Sequence, residues 1–180
     1  MRLDRDVATW IALYTGPLRP HTEVWLSRLD RERAALVEML AAEGLPEGLV
    51  VVPVVESGLL PEATSTIGCA GTWQLSAPTA RQLGLEVSDR VDERRHPMLA
   101  ASAAVQLLGS LYQRYESWDL ALAAYNAGHP RVDQAVAGAG SKRWEDVAPL
   151  LGEEPRHFLA KIHAMLVLDA DRARWGLAPR

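Results

Sequence analysis

Apolar residues in the second half of the chain recur in steps of three and four: Met98, Ala101, Val105, Leu108, Tyr112 and Tyr115. That spacing places them on one face of an α-helix, so this stretch reads as a core helix. Two helical runs precede it. Asp4 to Tyr14 is short, amphipathic and ended by Gly16-Pro17, and Asp30 is set to cap Arg31 to Glu43, which stops at Gly44 and Pro46. Three follow it. Asp119 is set to cap an Ala-rich helix ending at Gly128-His129-Pro130, and a short one runs from Arg131 into Gly138-Ala139-Gly140. The last spans Pro155 to Trp175, with proline in its first turn, Gly176 past its end, and Phe158, Ile162, Met165 and Leu166 on its inner face.

One segment breaks the pattern. Leu49 to Val55 is β-branched and reads as a strand by propensity alone. Pro53 argues against a central strand, and a helix tolerates it only in the first turn. From Gly58 to Val91 the chain is rich in turns, with a helical piece at Ser76 to Leu83 stopped by Gly84. With no repeat or linker, the expectation is one mainly α domain over residues 1–180.

Composition narrows the function classes. Nineteen basic and 23 acidic residues in 180 give a net charge of −4, which disfavours a nucleic-acid surface. With 48% hydrophobic and 23% charged residues the chain is globular, and no run of 18 apolar residues suggests a membrane span. The start, MRLDRDVATWIALY, does not read as a secretory signal. The lone Cys69 cannot form an internal disulfide, so redox compartment stays open.

Three segments could carry chemistry. In GLVVVPVVESGLLP, residues 48–61, Glu56 is the only charged side chain. Burial among valines and leucines raises a carboxyl's pKa, and the C-terminal end of a helix pushes the same way. A carboxyl kept protonated near neutrality suits a general acid; the alternative is a helix-end glutamate reaching water past Gly58. Ala70-Gly71-Thr72-Trp73-Gln74 offers an aromatic ring and an amide suited to a sugar, or a plain core contact. Ala124-Tyr125-Asn126-Ala127-Gly128 offers a phenol and the chain's only asparagine among small residues, or a plain helix C-terminus. No phosphate loop, dinucleotide fingerprint or serine elbow is present, and the five histidines lack metal-ligand spacing, so neither cofactor nor metal is expected. Glu93-Arg94-Arg95 reads as a solvated charge cluster.

In order, Glu56-Ser57, Gly71-Thr72-Trp73-Gln74 and Ala124-Tyr125-Asn126-Ala127-Gly128 resemble the successive motifs of lytic transglycosylases of the soluble-lytic-transglycosylase type. The membrane-bound lytic murein transglycosylase D group is the nearest likeness. There a GLP element precedes LLPxVES, much as Gly44-Leu45-Pro46 precedes Val52-Pro53-Val54-Val55-Glu56-Ser57, and Val91 to Pro97 resembles its VDERRDP stretch. The resemblance implies a lysozyme-like helical fold, with a lead-in over 1–45 and a catalytic core over 46–175. It implies cleavage of the β-1,4 bond between N-acetylmuramic acid and N-acetylglucosamine to a 1,6-anhydromuramoyl end. Glu56 would be acid and then base, without the second carboxylate of most glycosidases. Glu62 is the nearest acid in sequence, and nothing marks it as a partner.

By the same likeness Ser57, Ser65, Trp73, Gln74, Tyr125, Asn126, Glu154 and Phe158 would contact or brace substrate. Asn126 would hold its own turn. The implied partner is the peptidoglycan glycan strand, and the implied setting is the bacterial envelope or periplasm, with the protein acting as a monomer. Departures fall at Thr72, where an apolar residue is usual, at Gly152 and Pro155, and at Phe158, where a tyrosine is usual. The rival readings are a goose-type hydrolytic muramidase and a non-catalytic wall-binding or scaffold domain on the same fold.

Overall fold

The computed structural model describes residues 5–179, so Asp4, expected to open the first helix, lies outside the described residues. Helix α1 spans Arg5–Thr15 and α2 spans Arg19–Ala42. A 3-10 turn at Glu47–Val51 leads into α3, Val52–Ser57; α4 is Ala77–Gln82. Then come α5 at Pro97–Tyr115, α6 at Trp118–Ala127, α7 at His129–Ala139, α8 at Trp144–Leu151 and α9 at Glu153–Ala170. Among the described residues no strand forms; pairing is limited to isolated bridges such as Thr64 with Ala70 and Ala70 with Leu75.

The β-branched segment is therefore helical, against its propensity. Pro53 falls in the first turn of α3, where its missing N–H costs nothing, and Val50 to Val54 are buried on all sides. Burial of a short apolar run outweighs propensity here. Gly58 ends α3 in the left-handed region, and a Cβ there would lie 2.4 Å from the Trp25 ring, so this stop tolerates only glycine.

Other boundaries moved for local reasons. Asp30 caps nothing: α2 begins eleven residues earlier, with Pro20 in its first turn, and the Asp30 carboxylate accepts from Arg172 at 2.7 and 2.8 Å. The cap of α6 is Ser117, whose hydroxyl accepts from the Leu120 N–H, and Asp119 sits in the first turn. Helix α8 lies outside the expected elements: Val147, Ala148 and Leu151 share its buried face, and Pro149 interrupts it. Helix α9 stops at Ala170, and the expected remainder is a separate 3-10 turn, Ala173–Trp175. Along α5 the predicted face is buried at Ala101, Val105, Leu108 and Tyr115, while Met98 and Tyr112 reach solvent.

The main core gathers α1, α2, α3, α5 and α9, with Leu29, Leu40, Val52, Leu108, Met165 and Leu168 fully enclosed. A second cluster under α6, α7 and α8 includes Leu120, Val132, Val147 and Leu151. Short α3 packs against α2 and α9 and carries Glu56 to a surface cleft.

Candidate active site

Glu56 is the penultimate residue of α3, half-buried, with the chain turning away at Gly58. Burial raises its carboxyl pKa to about 8, and the positive charge of Lys161 opposes part of that rise. A carboxyl in this state holds its proton at neutral pH and can surrender it to a leaving oxygen. It faces a cleft of about 510 Å³ whose lining includes Ser65, Cys69, Gln74, Tyr125, Asn126 and Glu154. An adjoining recess of about 460 Å³ shares Glu56, Asn126 and Glu154 and adds Phe158 and Lys161.

The cleft's outer wall is the turn-rich segment. Gln74 sits at φ +49°, and its side-chain amide donates to the Gly71 carbonyl at 2.8 Å. Gly71 to Gln74 form the turn closed by the Ala70–Leu75 bridge, with the Trp73 ring enclosed in the core and Gln74 lining the cleft. Trp73 is 1% exposed, a core residue rather than a sugar contact. What it offers the site is its carbonyl, which accepts from the Tyr125 hydroxyl at 2.7 Å and so joins the wall to α6.

The Glu93-Arg94-Arg95 cluster is not solvated as expected. Arg94 is 8% exposed; its guanidinium grips Asp92 at 2.8 Å twice and donates to the Gly68 and Leu75 carbonyls at 2.9 and 3.1 Å. Arg95 donates to the Pro61 carbonyl at 3.1 Å and the Thr64 hydroxyl at 2.7 Å. Gly71 is packed so closely that a Cβ would lie 1.8 Å from the Arg94 carbonyl oxygen. Two arginines and a glycine thus set the shape of the wall.

Of the residues singled out from sequence, Glu56, Ser65, Gln74, Tyr125, Asn126 and Glu154 meet at the cleft, and Phe158 at the recess. Ser57 does not join them. Its hydroxyl donates to the Thr72 carbonyl at 2.9 Å and accepts from the Leu60 N–H at 3.0 Å, holding the turn after α3. Ser65 accepts from the Cys69 N–H at 3.0 Å. Asn126 does not brace its turn through its carbonyl oxygen: Oδ1 is buried and has no hydrogen-bond partner. The Tyr125 phenol is pushed well above its ordinary pKa, by burial first and then by Glu56. Glu62 is 87% exposed and lies 3.6 Å from Arg95, so it is no partner of Glu56. Among the described residues no group of His, Cys, Asp and Glu is placed to hold a metal.

Residues 35–147 match the transglycosylase SLT domain family. The chain belongs to that family. This SLT domain is 31% identical over 139 residues to membrane-bound lytic murein transglycosylase D of Escherichia coli K12, a match covering 74% of this chain and 30% of that protein. Over 109 residues it is 36% identical to the peptidoglycan transglycosylase gp16 of Escherichia phage T7, covering 59% and 8% respectively. Its fold resembles that of an inactive mutant of the lytic transglycosylase Slt from Pseudomonas aeruginosa, with TM-score 0.65, 22% identity, and 82% and 25% of the two chains covered. The SLT domain therefore spans under a third of each relative's length. The matched stretch holds Glu56, Gln74, Tyr125 and Asn126 but not Glu154, Phe158 or Lys161. Lys161 escaped the sequence reading, although it is one of only two lysines and stands one turn beyond Phe158.

Proposed function

We propose that the protein is a peptidoglycan lytic transglycosylase of the bacterial envelope, cutting between N-acetylmuramic acid and N-acetylglucosamine. The observation that carries this reading is the Glu56 carboxyl, raised to about pKa 8 at the floor of a cleft long enough to continue into a second recess. Glu56 gives its proton to the glycosidic oxygen as the C1–O bond breaks. The resulting carboxylate takes the proton of the C6 hydroxyl while that oxygen bonds to C1. Proton count balances, no water is consumed, and Glu56 returns to its starting form.

Neighbouring groups fit that cycle. Gln74 and Asn126 line the cleft and bring amide groups of the kind that pair with acetamido and hydroxyl groups. Tyr125, tied to the Trp73 carbonyl, holds the cleft wall at its working distance from the acid. One feature favours a second reading: Glu154 also lines the cleft, and a second carboxylate is what a hydrolase uses to activate water. Mass spectrometry of peptidoglycan digested by the purified protein separates them. Lytic cleavage gives 1,6-anhydromuramoyl ends, unaffected by Glu154→Gln. Reducing ends that disappear in Glu154→Gln would establish hydrolysis, and no fragments at all would leave a wall-binding domain.

A further inference from the structure

Two helices outside the family match, α1 and α9, pack against each other along the back of the recess. Their meeting point is specific. Lys161 of α9 lines the recess with Val55, Glu56 and Asn126, and its ammonium sits 4.7 Å from the ring centroid of Trp10 on α1. Trp10 is steadied in turn by Tyr14, 5.5 Å away between ring centroids. A cation over an aromatic face is held electrostatically by the ring quadrupole, so Trp10 defines where this long side chain rests.

The titratable groups that share cleft and recess with Glu56 come from several elements. Helix α9 supplies Glu153, Glu154, His157 and Lys161; α6 supplies Tyr125; the start of α7 supplies His129; the turn-rich wall supplies Cys69. Among the described residues lining cleft or recess, Lys161 is the single lysine or arginine. Among the described contacts, no ion pair joins it to Glu56. A cation in direct contact would lock the carboxylate in its charged form and block its reprotonation. One held at a distance lowers the cost of the charge while leaving the proton free to return.

We propose that Lys161, seated on Trp10, is a positioning residue for the acid: its ammonium stabilises the carboxylate Glu56 becomes after giving up its proton. The α1–α9 pair is thereby part of the active site. Its use in catalysis rests on the proposed function, but the coupling itself needs no substrate. Burial raises the Glu56 pKa and Lys161 lowers it, in agreement with that arrangement.

The test follows the Glu56 carboxyl by carbon NMR through a pH titration of the full chain, alongside the pH profile of cell-wall clearing. Wild type titrates near pH 8. Lys161→Met moves the titration upward by about half a pH unit or more, because the carboxylate loses its cation. Trp10→Leu moves it the same way by less, Lys161→Arg leaves it in place, and the double variant matches Lys161→Met alone. The basic limb of the clearing profile follows the titration in each active variant. An unmoved titration in a folded Lys161→Met protein, or a Trp10→Leu shift that persists without Lys161, overturns the proposal. Shifts as expected in a protein that clears no wall would leave the coupling standing and defeat the proposed activity instead.

Discussion

At the scale of single residues, the carboxyl that suits the chemistry is a burden to the fold. Glu56 titrates near 8 in the folded chain, against an ordinary value of 4.5. Between those pH values the folded state binds the extra proton, so stability falls as pH rises through this window and levels off above it. Glu56→Gln removes the liability. We expect it to melt higher than wild type by several degrees at pH 8.5, on the order of 1–3 kcal/mol after allowance for partial exposure, with the gap closing at pH 4.5. Calorimetry at the two pH values checks this, and a gap independent of pH would contradict the burial of the carboxyl. Phe158 offers a gain rather than a loss. It is 5% exposed and lines the recess beside Glu56 and Asn126, where Oδ1 lacks a donor. Phe158→Tyr brings a donor to that acceptor, and the bond is expected to stabilise the fold by about 0.5–1.5 kcal/mol, a rise of a few degrees in melting temperature. A lower melting temperature would mean the hydroxyl finds no acceptor there.

At the scale of elements, the cleft wall depends on Arg94 more than on any apolar contact of its own. Arg94→Met leaves Asp92 and the carbonyls of Gly68 and Leu75 short of donors. That loss is expected to cost about 2–4 kcal/mol, a fall in melting temperature of roughly 5–15 °C. Exposed Arg90→Met is the control and stays within about 0.5 kcal/mol of wild type; equal effects would mean that Arg94 holds nothing. This wall also shows where the sequence was hard to read. Three motifs in order converge on one cleft, each supplying at least one lining residue. Which neighbour faces inward depends on the turn that the Ala70–Leu75 bridge closes, and nothing in the letters Trp73-Gln74 reveals its conformation. Charge alone likewise suggests that Arg94 is solvated, because its carbonyl partners become visible only once the loop is folded. The strand-like valines before Glu56 became helix because enclosure on every side removes the advantage of a pleated surface.

At the scale of the whole molecule, cleft and recess are lined by residues between 55 and 161, and their frame is tied by buried charge. Arg172 joins Asp30 of α2 to Asp169 of α9, and Arg33 reaches the same Asp169 at 2.7 Å. Burial pushes the Asp169 carboxyl up, but hydrogen bonds from Arg172 and Arg33 outweigh it and hold it below the usual range. That contribution is present above the ordinary aspartate value of about 3.9 and is lost as pH falls through the lower folded value. With Glu56 acting in the opposite direction above 4.5, the melting temperature should peak in mildly acidic buffer and decline on both sides. Asp30 looked like a cap because its distant partner is 142 positions away, a pairing that no local pattern encodes. Most helices, the inner faces of α5 and α9 and the order of the cleft segments were legible, whereas α8, the start of α2 and these long-range ties were not. The account as a whole stands on one carboxyl performing both proton transfers. Its most direct test is the rate at which Glu56→Gln clears purified cell walls at pH 6, compared with wild type at matched folded concentration. The predicted result is a fall of about 10² to 10⁴, the usual weight of general acid–base catalysis. Clearing within about threefold of wild type would contradict it and remove Glu56 from the mechanism.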